Sequence, residues 1–448
     1  MARSCSMIAV LVLGLVLAMF VGASSVSASP PDSSNAEAPA AESQPEPASE
    51  STIEIDERGY VVVPTPSAKA EAWYRSGMWL WAFRTLWSLL VPALILWFGV
   101  SATLRDKSEA WTRKPWQGVL LFLLAYAVLV FVIDLPLSYY ASYVRPHAYG
   151  LSEQTLGKWF GDQFKGLVLA LVGLWLFIPG ALWLIRKSPE RWWLWASVLA
   201  IPIAFALLML LPVFIAPLFN DFGPMKDASL EAEILALAER AGIEGSRVFE
   251  VEKSVDTKTV NAYVTGFWST KRIVLWDTII ARLERDELLV VMGHEMGHYV
   301  LGHVRNSMAL ALVSIPLTLG IFHWLATKAI ARFGERFGFD SLADVAALPL
   351  LILIIGLLAF VGQPIANVWS RHQEHESDRF ALEITRDNQG CARAFARLQQ
   401  SNLGNPRPGP IYRLWRASHP ALGERIDFCN EYRPWESGEA RRYEHLFQ

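Results

Sequence analysis

The sequence predicts a mainly α, multi-span helical membrane protein with a small α+β segment set between its spans. Three observations predict it. Of the 448 residues, 53% are hydrophobic and only 19% are charged, and the mean hydropathy is +0.27, too apolar for an ordinary soluble chain. Six apolar runs, 78–100, 116–138, 166–185, 192–219, 307–330 and 345–368, each approach or exceed the roughly 20 residues that cross a hydrocarbon core. Between the fourth and fifth runs lies a polar interval, 220–306, whose patterning switches between helix and strand.

Taken in chain order, Arg3, the apolar stretch 7–21 and the small residues Val26-Ser27-Ala28 have the form of a signal peptide. Residues 1–28 are therefore a cleaved leader or an uncleaved first anchor, which makes the total six or seven spans. The following stretch, to about residue 77, is rich in Pro, Ala, Ser and Glu from Ser29 to Ala70. It buries too little apolar surface to fold and reads as a disordered tether. The spans follow, 78–219, with tryptophans at their ends (Trp79, Trp81, Trp116, Trp192, Trp193) as expected of interfacial belts. Prolines 92, 179, 202 and 212 lie within them, which a membrane helix tolerates.

Within 220–306, residues 229–241 have helical periodicity and stop at Gly242. Residues 246–252 and 271–276 read as strands, and 261-NAYVTGFW-268 as a hairpin or an edge strand. Residues 286–303 read as helix. Two more spans, then a second helical region over 369–398, a Gly/Pro loop (404-GNPRPGP-410) and a charged tail complete the chain. A net charge of −3 gives no footprint for nucleic acid. The three cysteines, Cys5, Cys391 and Cys429, form neither a zinc cluster nor a disulfide framework. Cys391 and Cys429 could pair in an oxidising compartment, but are read as two unpaired core thiols. A metal in this chain must then be held by His and carboxylate.

The stretch 292-MGHEMGHYVLGH-303 supplies such groups. Four residues turn a helix by about 400°, so His294 and His298 stand on adjacent turns of one face. Two imidazoles so placed can share one Zn2+, with Glu295 beside them to take a proton from water. His303, five residues further, is rotated by about 140° around the helix, and is not expected to be a ligand. A hydrolytic zinc needs a third protein ligand and an open fourth position. The segment 370-SRHQEHESDRFA-381 offers Glu374 and Asp378 on one helical face. Glu374 would bind metal while Asp378 holds the imidazole N–H of a ligand histidine. His372, His375 and Glu376 fall off that face and read as solvated polar residues.

HEMGH, SRHQEHESD, NAY and KRIVLWDT, with 135-LPLSYYASYV-144 and 154-QTLGKWF-160, together resemble the zinc-dependent CAAX prenyl endopeptidases. The HtpX-type membrane proteases are more distant relatives. The similarity runs from about residue 78 to the C-terminus. It implies a gluzincin-like zinc-metallopeptidase domain, with one Zn2+ per chain on His294, His298 and Glu374 and with Glu295 as base. It also implies that Asn261, Ala262 and Tyr263 lie beside bound substrate as an edge strand. The motif 419-HPALGERI-426 further implies that His419 and Arg425 help hold the reacting carbonyl, and family members enclose the site in a chamber of seven helices. Ser377 stands where the family usually has alanine. The tether has no counterpart there, and residues 7–23 would have to supply the first of the seven helices.

The expected activity is zinc-dependent hydrolysis of peptide bonds in membrane-associated or prenylated polypeptides. The partners are the bilayer and a polypeptide substrate, lipid-modified or not. Loops 101–115 and 186–191 are dense in Lys and Arg, which places them in the cytoplasm and the catalytic segment on the opposite side. CAAX prenylation is cytosolic chemistry and the eukaryotic family members face the cytosol. A bacterial inner-membrane enzyme with a periplasmic site reconciles the charge pattern with the leader. A non-catalytic chaperone or scaffold, or a transporter with a peptide-holding cavity, is the alternative. An intact Glu295 and the absence of an internal repeat weigh against it.

Overall fold

The computed structural model describes residues 53–448 apart from 244, 246 and 266–271. The leader or anchor at 1–28, residues 29–52 of the tether and the end of the 261–268 motif lie outside them. Helices α1 (Ala68–Trp97), α2 (Val100–Ala110), α3 (Pro115–Tyr139), α4 (Leu156–Lys187) and α5 (Trp192–Leu210) form the first part of the molecule. A single π-helical turn extends each of α3 and α5, Tyr140–Val144 and Leu211–Ile215. The mixed segment follows as β1 (Phe222–Pro224), α6 (Ala228–Arg240), β2 (Arg247–Val251), β3 (Ala262–Thr265), β4 (Arg272–Trp276) and α7 (Arg285–Val300). Then come α8 (His303–Phe337), α9 (Leu348–Thr385), α10 (Asn388–Ser401), α11 (Pro410–Trp415) and α12 (Leu422–Glu431).

Among the described residues, six helices are long and apolar enough to cross a bilayer, one for each apolar run read from the sequence. Each contains a proline, and their outward faces carry exposed Leu, Val, Phe and Trp, as a lipid solvent requires. Val91 and Ile95 of α1 pack with Phe122 and Tyr126 of α3 and Leu174 of α4. Trp192 of α5, Phe322 of α8 and Ile354 of α9 form a second apolar contact.

Two readings of helix limits change. The sixth span does not stop near residue 368. It continues as one helix to Thr385, so the element that crosses the membrane also carries Glu374 and Asp378. The helix expected over 286–303 ends at Val300, because Gly302 takes a left-handed φ of 66°. That turn is inexpensive only for glycine, and it makes His303 the first residue of α8.

The sheet has the order β1-β2-β4-β3. β2 and β4 are parallel, while β3 lies antiparallel to β4 with Ala262 opposite Leu275 and Tyr263 opposite Val274. Of the two possibilities for 261–268, the described part is an edge strand. Trp276 N–H donates to the carbonyl of Asn261 at 3.1 Å, which extends the pairing by one residue. Ile273 and Leu275 of β4, Ile234 of α6, Met292 and Met296 of α7 and Phe380 of α9 share one core. Burial of the two methionines turns the opposite face of α7, with its histidines, towards α9.

Two further expectations are corrected. Residues 53–66 are not a loose tether. Val61 is 2% exposed and its backbone exchanges hydrogen bonds of 3.1 and 2.9 Å with the side chain of Asn430 on α12. Val61, with Ile53 and Val63 packed beside it, supplies the buried apolar surface that the preceding composition lacks, and α1 begins at Ala68 under the Ser67 cap. Cys391 and Cys429 are not free thiols but a disulfide, with Cα atoms 5.7 Å apart. α10 and α12 pack side by side, which brings two residues distant in sequence within bonding range.

Candidate metal centre and active site

The site is assembled where α7 crosses α9. Gly293 and Gly297, one turn apart on α7, permit the approach. A Cβ on Gly297 would lie 3.2 Å from Cα of Ser377, and one on Gly293 would lie 3.3 Å from Cα of Ala381. With the backbones so close, His294, His298 and Glu374 point at a common centre. Nε2 of His294 lies 3.1 Å from Nε2 of His298 and 3.2 Å from Oε2 of Glu374. Nε2 of His298 lies 3.4 Å from Oε1 of Glu374. Ligands at 2.0–2.1 Å on a tetrahedral zinc are separated by ~3.3 Å, so the three groups fit such an ion. Oε2 of Glu374 is buried and makes no well-directed hydrogen bond, which leaves a lone pair for a cation. Two neutral imidazole donors and one carboxylate are also an appropriate donor set for zinc.

The groups behind the centre are themselves fixed. Nδ1–H of His294 donates to Asp378 at 2.8 Å, which leaves Nε2 with its lone pair towards the centre. Asp378 also accepts from Arg425 on α12, at 2.9 Å from Nε and 2.5 Å from Nη2. Arg425 stacks on Phe395 of α10 at 3.9 Å. With no cation at the centre, burial opposes charge on His294, but Asp378 and Glu374 outweigh it and raise its pKa to about 10; a metal bound at Nε2 would have to displace that proton. Burial alone would lower the pKa of Arg425, yet Asp378 holds it above its ordinary value.

Glu295 faces a cavity of ≈ 260 Å3 whose walls include Asn261 and Ala262 of the edge strand, Val291 and His294 of α7, and His419 and Arg425. Burial pushes its carboxyl up, against the pull of the two histidines. His419, in the loop before α12, lies 3.2 Å from Oε1 of Glu374 and has its Nδ1 on Ser418. Burial lowers its pKa. Tyr263 is not among the residues lining the cavity; strand alternation puts its side chain on the sheet face opposite that of Ala262.

All the residues expected at the metal meet here. Arg425, expected at the reacting carbonyl, has its strongest contacts with Asp378. His303 is not in the ligand cluster, but its Nδ1 is 2.9 Å from Nδ1 of His298. The 140° rotation does not apply, because His303 starts a new helix. Glu376, expected in solvent, is 6% exposed and paired with Arg379, Arg442 and Tyr443. Gly293 and Gly297 form a G-x-x-x-G that overlaps the HExxH motif, a local signal of close helix contact that points to the crossing.

An apolar helical bundle joined to an HExxH helix and a remote glutamate defines a class, the integral-membrane metallopeptidases. Residues 224–433 match the model of peptidase family M48, and residues 63–221 match that of the CAAX prenyl protease N-terminal region of five membrane helices. The "Uncharacterized metalloprotease YhfN" of Bacillus subtilis (strain 168) is 34% identical over 77% of this chain and 80% of its own. "CAAX prenyl protease 1" of Saccharomyces cerevisiae is 30% identical over 67% of this chain and 70% of its own. The crystal structure of S. mikatae Ste24p superposes with a TM-score of 0.70 at 24% identity, covering 96% of this chain and 99% of that one; it shows the shared fold. The chain belongs to the M48 CAAX prenyl protease family and is a multi-pass membrane metalloendopeptidase.

Proposed function

We propose that the chain is a zinc endopeptidase of a bacterial inner membrane, cleaving membrane-associated or exported polypeptides at a site on the periplasmic face. His294, His298 and Glu374 hold one Zn2+, and Glu295 is the general base. The observation that carries this reading is the ~3.3 Å mutual spacing a tetrahedral zinc requires, met by two buried donors and a partly buried one beside a cavity that Glu295 lines. When bound, zinc supplies Lewis acidity, polarising the scissile carbonyl and making a water more acidic.

The protein groups supply the rest. An extended substrate pairs its backbone with the outer edge of β3 at Asn261 and Ala262. Glu295 takes a proton from the attacking water and returns it to the departing amine. His419, in the same cavity, donates to the oxygen on which charge develops. Arg425 acts mainly from behind, by fixing Asp378 and thereby His294.

The orientation rests on two supports. The basic loops at 101–115 and 186–191 favour the cytoplasm, and the disulfide between α10 and α12 belongs in an oxidising compartment. On that face the substrates are not expected to require a prenyl group, because prenylation is a cytosolic reaction. The relatives named as CAAX prenyl proteases support the competing reading of a prenylated substrate.

Glu295→Gln tests the chemistry. The variant should retain one equivalent of zinc and lose turnover of an internally quenched peptide by about 10²–10⁴-fold. Undiminished turnover refutes the assignment. Parallel assays on matched prenylated and unmodified peptides test the substrate class. A reporter active only in the periplasm, fused after Gln448, tests the face.

A further inference from the structure

The two ligand histidines are supported differently. His294 has a carboxylate behind it. His298 has another imidazole: the Nδ1 atoms of His298 and His303 are 2.9 Å apart, and the rings meet edge to face at 76° with centroids 5.0 Å apart. His303 is 5% exposed. Its backbone carbonyl accepts from Gln373 Nε2 at 3.4 Å, and Ser377 Oγ stands 3.5 Å from its Nδ1.

We propose that His303 is a positioning residue for the metal, acting through His298. The reasoning is one of proton inventory and rests on the zinc site proposed above. A histidine that binds metal through Nε2 must carry its proton on Nδ1. Nδ1–H of His298 then needs an acceptor, and Nδ1 of His303 is in place to accept it. His303 therefore carries its own proton on Nε2. The contact depends on the left-handed turn at Gly302, which folds the first residue of α8 back over the end of α7. The ligand is thereby tied to the first turn of a membrane-spanning helix, and a displacement of α8 against α7 would reach the metal directly.

The test uses full-length protein in nanodiscs and reads zinc affinity by competition with a chromogenic chelator, not turnover alone. His303→Leu removes the acceptor, whereas His303→Asn places an amide oxygen near the position of Nδ1. His303→Leu should weaken zinc binding by about 10–100-fold, and His303→Asn should recover most of that loss. A purely packing role would give a different order, with Leu closer to wild type than Asn. Equal affinity of wild type and His303→Leu overturns the proposal, as does an Asn variant as weak as Leu. If His303→Leu does not fold, 15N-histidine solid-state NMR of the zinc-loaded wild type decides. A proton on Nε2 of His303 supports the relay, and one on its Nδ1 overturns it. Failure of the wild type itself to bind zinc would sink the metalloprotease reading instead, and is distinguishable from either result.

Discussion

Asp378 grips Arg425 with both carboxylate oxygens while one of them also accepts from Nδ1–H of His294. The pair is buried, at 1% and 7% exposure, and joins α9 to α12 directly behind the ligand cluster of His294, His298 and Glu374. Removing one partner from a buried ion pair costs about 3–5 kcal/mol, because the other charge is left without compensation. Asp378→Ala should therefore destabilise the protein by that amount and weaken zinc binding by about 10–100-fold. Arg425→Lys keeps the charge but not the two-point contact, so a smaller loss in both is expected. Thermal unfolding of metal-free and metal-loaded protein measures the two effects separately. Zinc affinity unchanged in Asp378→Ala would refute the orienting role.

The close crossing of α7 and α9 gives a second expectation. A Cβ at Gly297 would meet Cβ and Cδ1 of Phe380 and Cα of Ser377, each at 3.2 Å, and neither a backbone nor a buried ring yields easily. Gly297→Ala should cost about 1–3 kcal/mol through overpacking and lower zinc occupancy by separating His298 from Glu374. Gly157 of α4 has open space around it. Gly157→Ala should leave zinc content unchanged and gain up to about 1 kcal/mol of helix propensity. Metal analysis beside thermal scans checks both. A Gly297→Ala variant with full zinc would show that the helices can part without disturbing the ligands.

These contacts also mark what the sequence does and does not disclose. His294 with His298, and Glu374 with Asp378, are legible because four-residue spacing on a helix is local geometry. The spans are legible because a bilayer demands length and apolarity together. The meeting of the two ligand pairs comes instead from a crossing of distant helices; the need of a hydrolytic zinc for a third ligand suggests it, and the resemblance to a family implies it. His303 was misplaced because the left-handed Gly302 ends the helix that its rotation presumed. The disulfide depends on α10 lying against α12, which spacing in the chain does not encode. Residues 53–66 depart from the composition of the stretch before them because Val61 is buried, with Ile53 and Val63, against the C-terminal helices.

The disulfide leads to a third prediction. Cys391 and Cys429 are 38 residues apart in sequence, and closing a loop of that length typically stabilises a fold by about 2–4 kcal/mol. Both helices it joins bear on Arg425, α12 by carrying it and α10 through Phe395. The double variant Cys391→Ala/Cys429→Ala should lose stability in that range and lose turnover by more than any loss of folded protein explains. Non-reducing mass spectrometry after alkylation should find both sulfurs protected. Free alkylation of native protein would contradict the pairing and remove one support for the periplasmic orientation.

Asp256 carries the last prediction, because it ties the membrane helices to the strand proposed to receive substrate. Its carboxylate pairs with Lys253 at 2.8 Å and with Lys158, in the first turn of α4, at 2.6 Å. Its backbone carbonyl accepts from Ser152 Oγ at 2.8 Å. Lys258 N–H donates to the Leu151 carbonyl at 3.0 Å, just before the chain enters β3. Burial pushes the Asp256 carboxyl up, but Lys253 and Lys158 outweigh it and hold its pKa below the ordinary value. A carboxylate with a depressed folded pKa contributes stability that is fully present above its unfolded pKa of about 3.9, and loses it as pH falls through the folded value. Wild type should thus lose stability on acidification below about pH 4. Asp256→Asn should be less stable at neutral pH and show a shallower acid dependence. If this clamp also sets the position of Asn261, the variant should raise KM for peptide more than it lowers kcat. An unchanged KM would confine the clamp to stability, and an unchanged acid slope would remove Asp256 from the titration altogether.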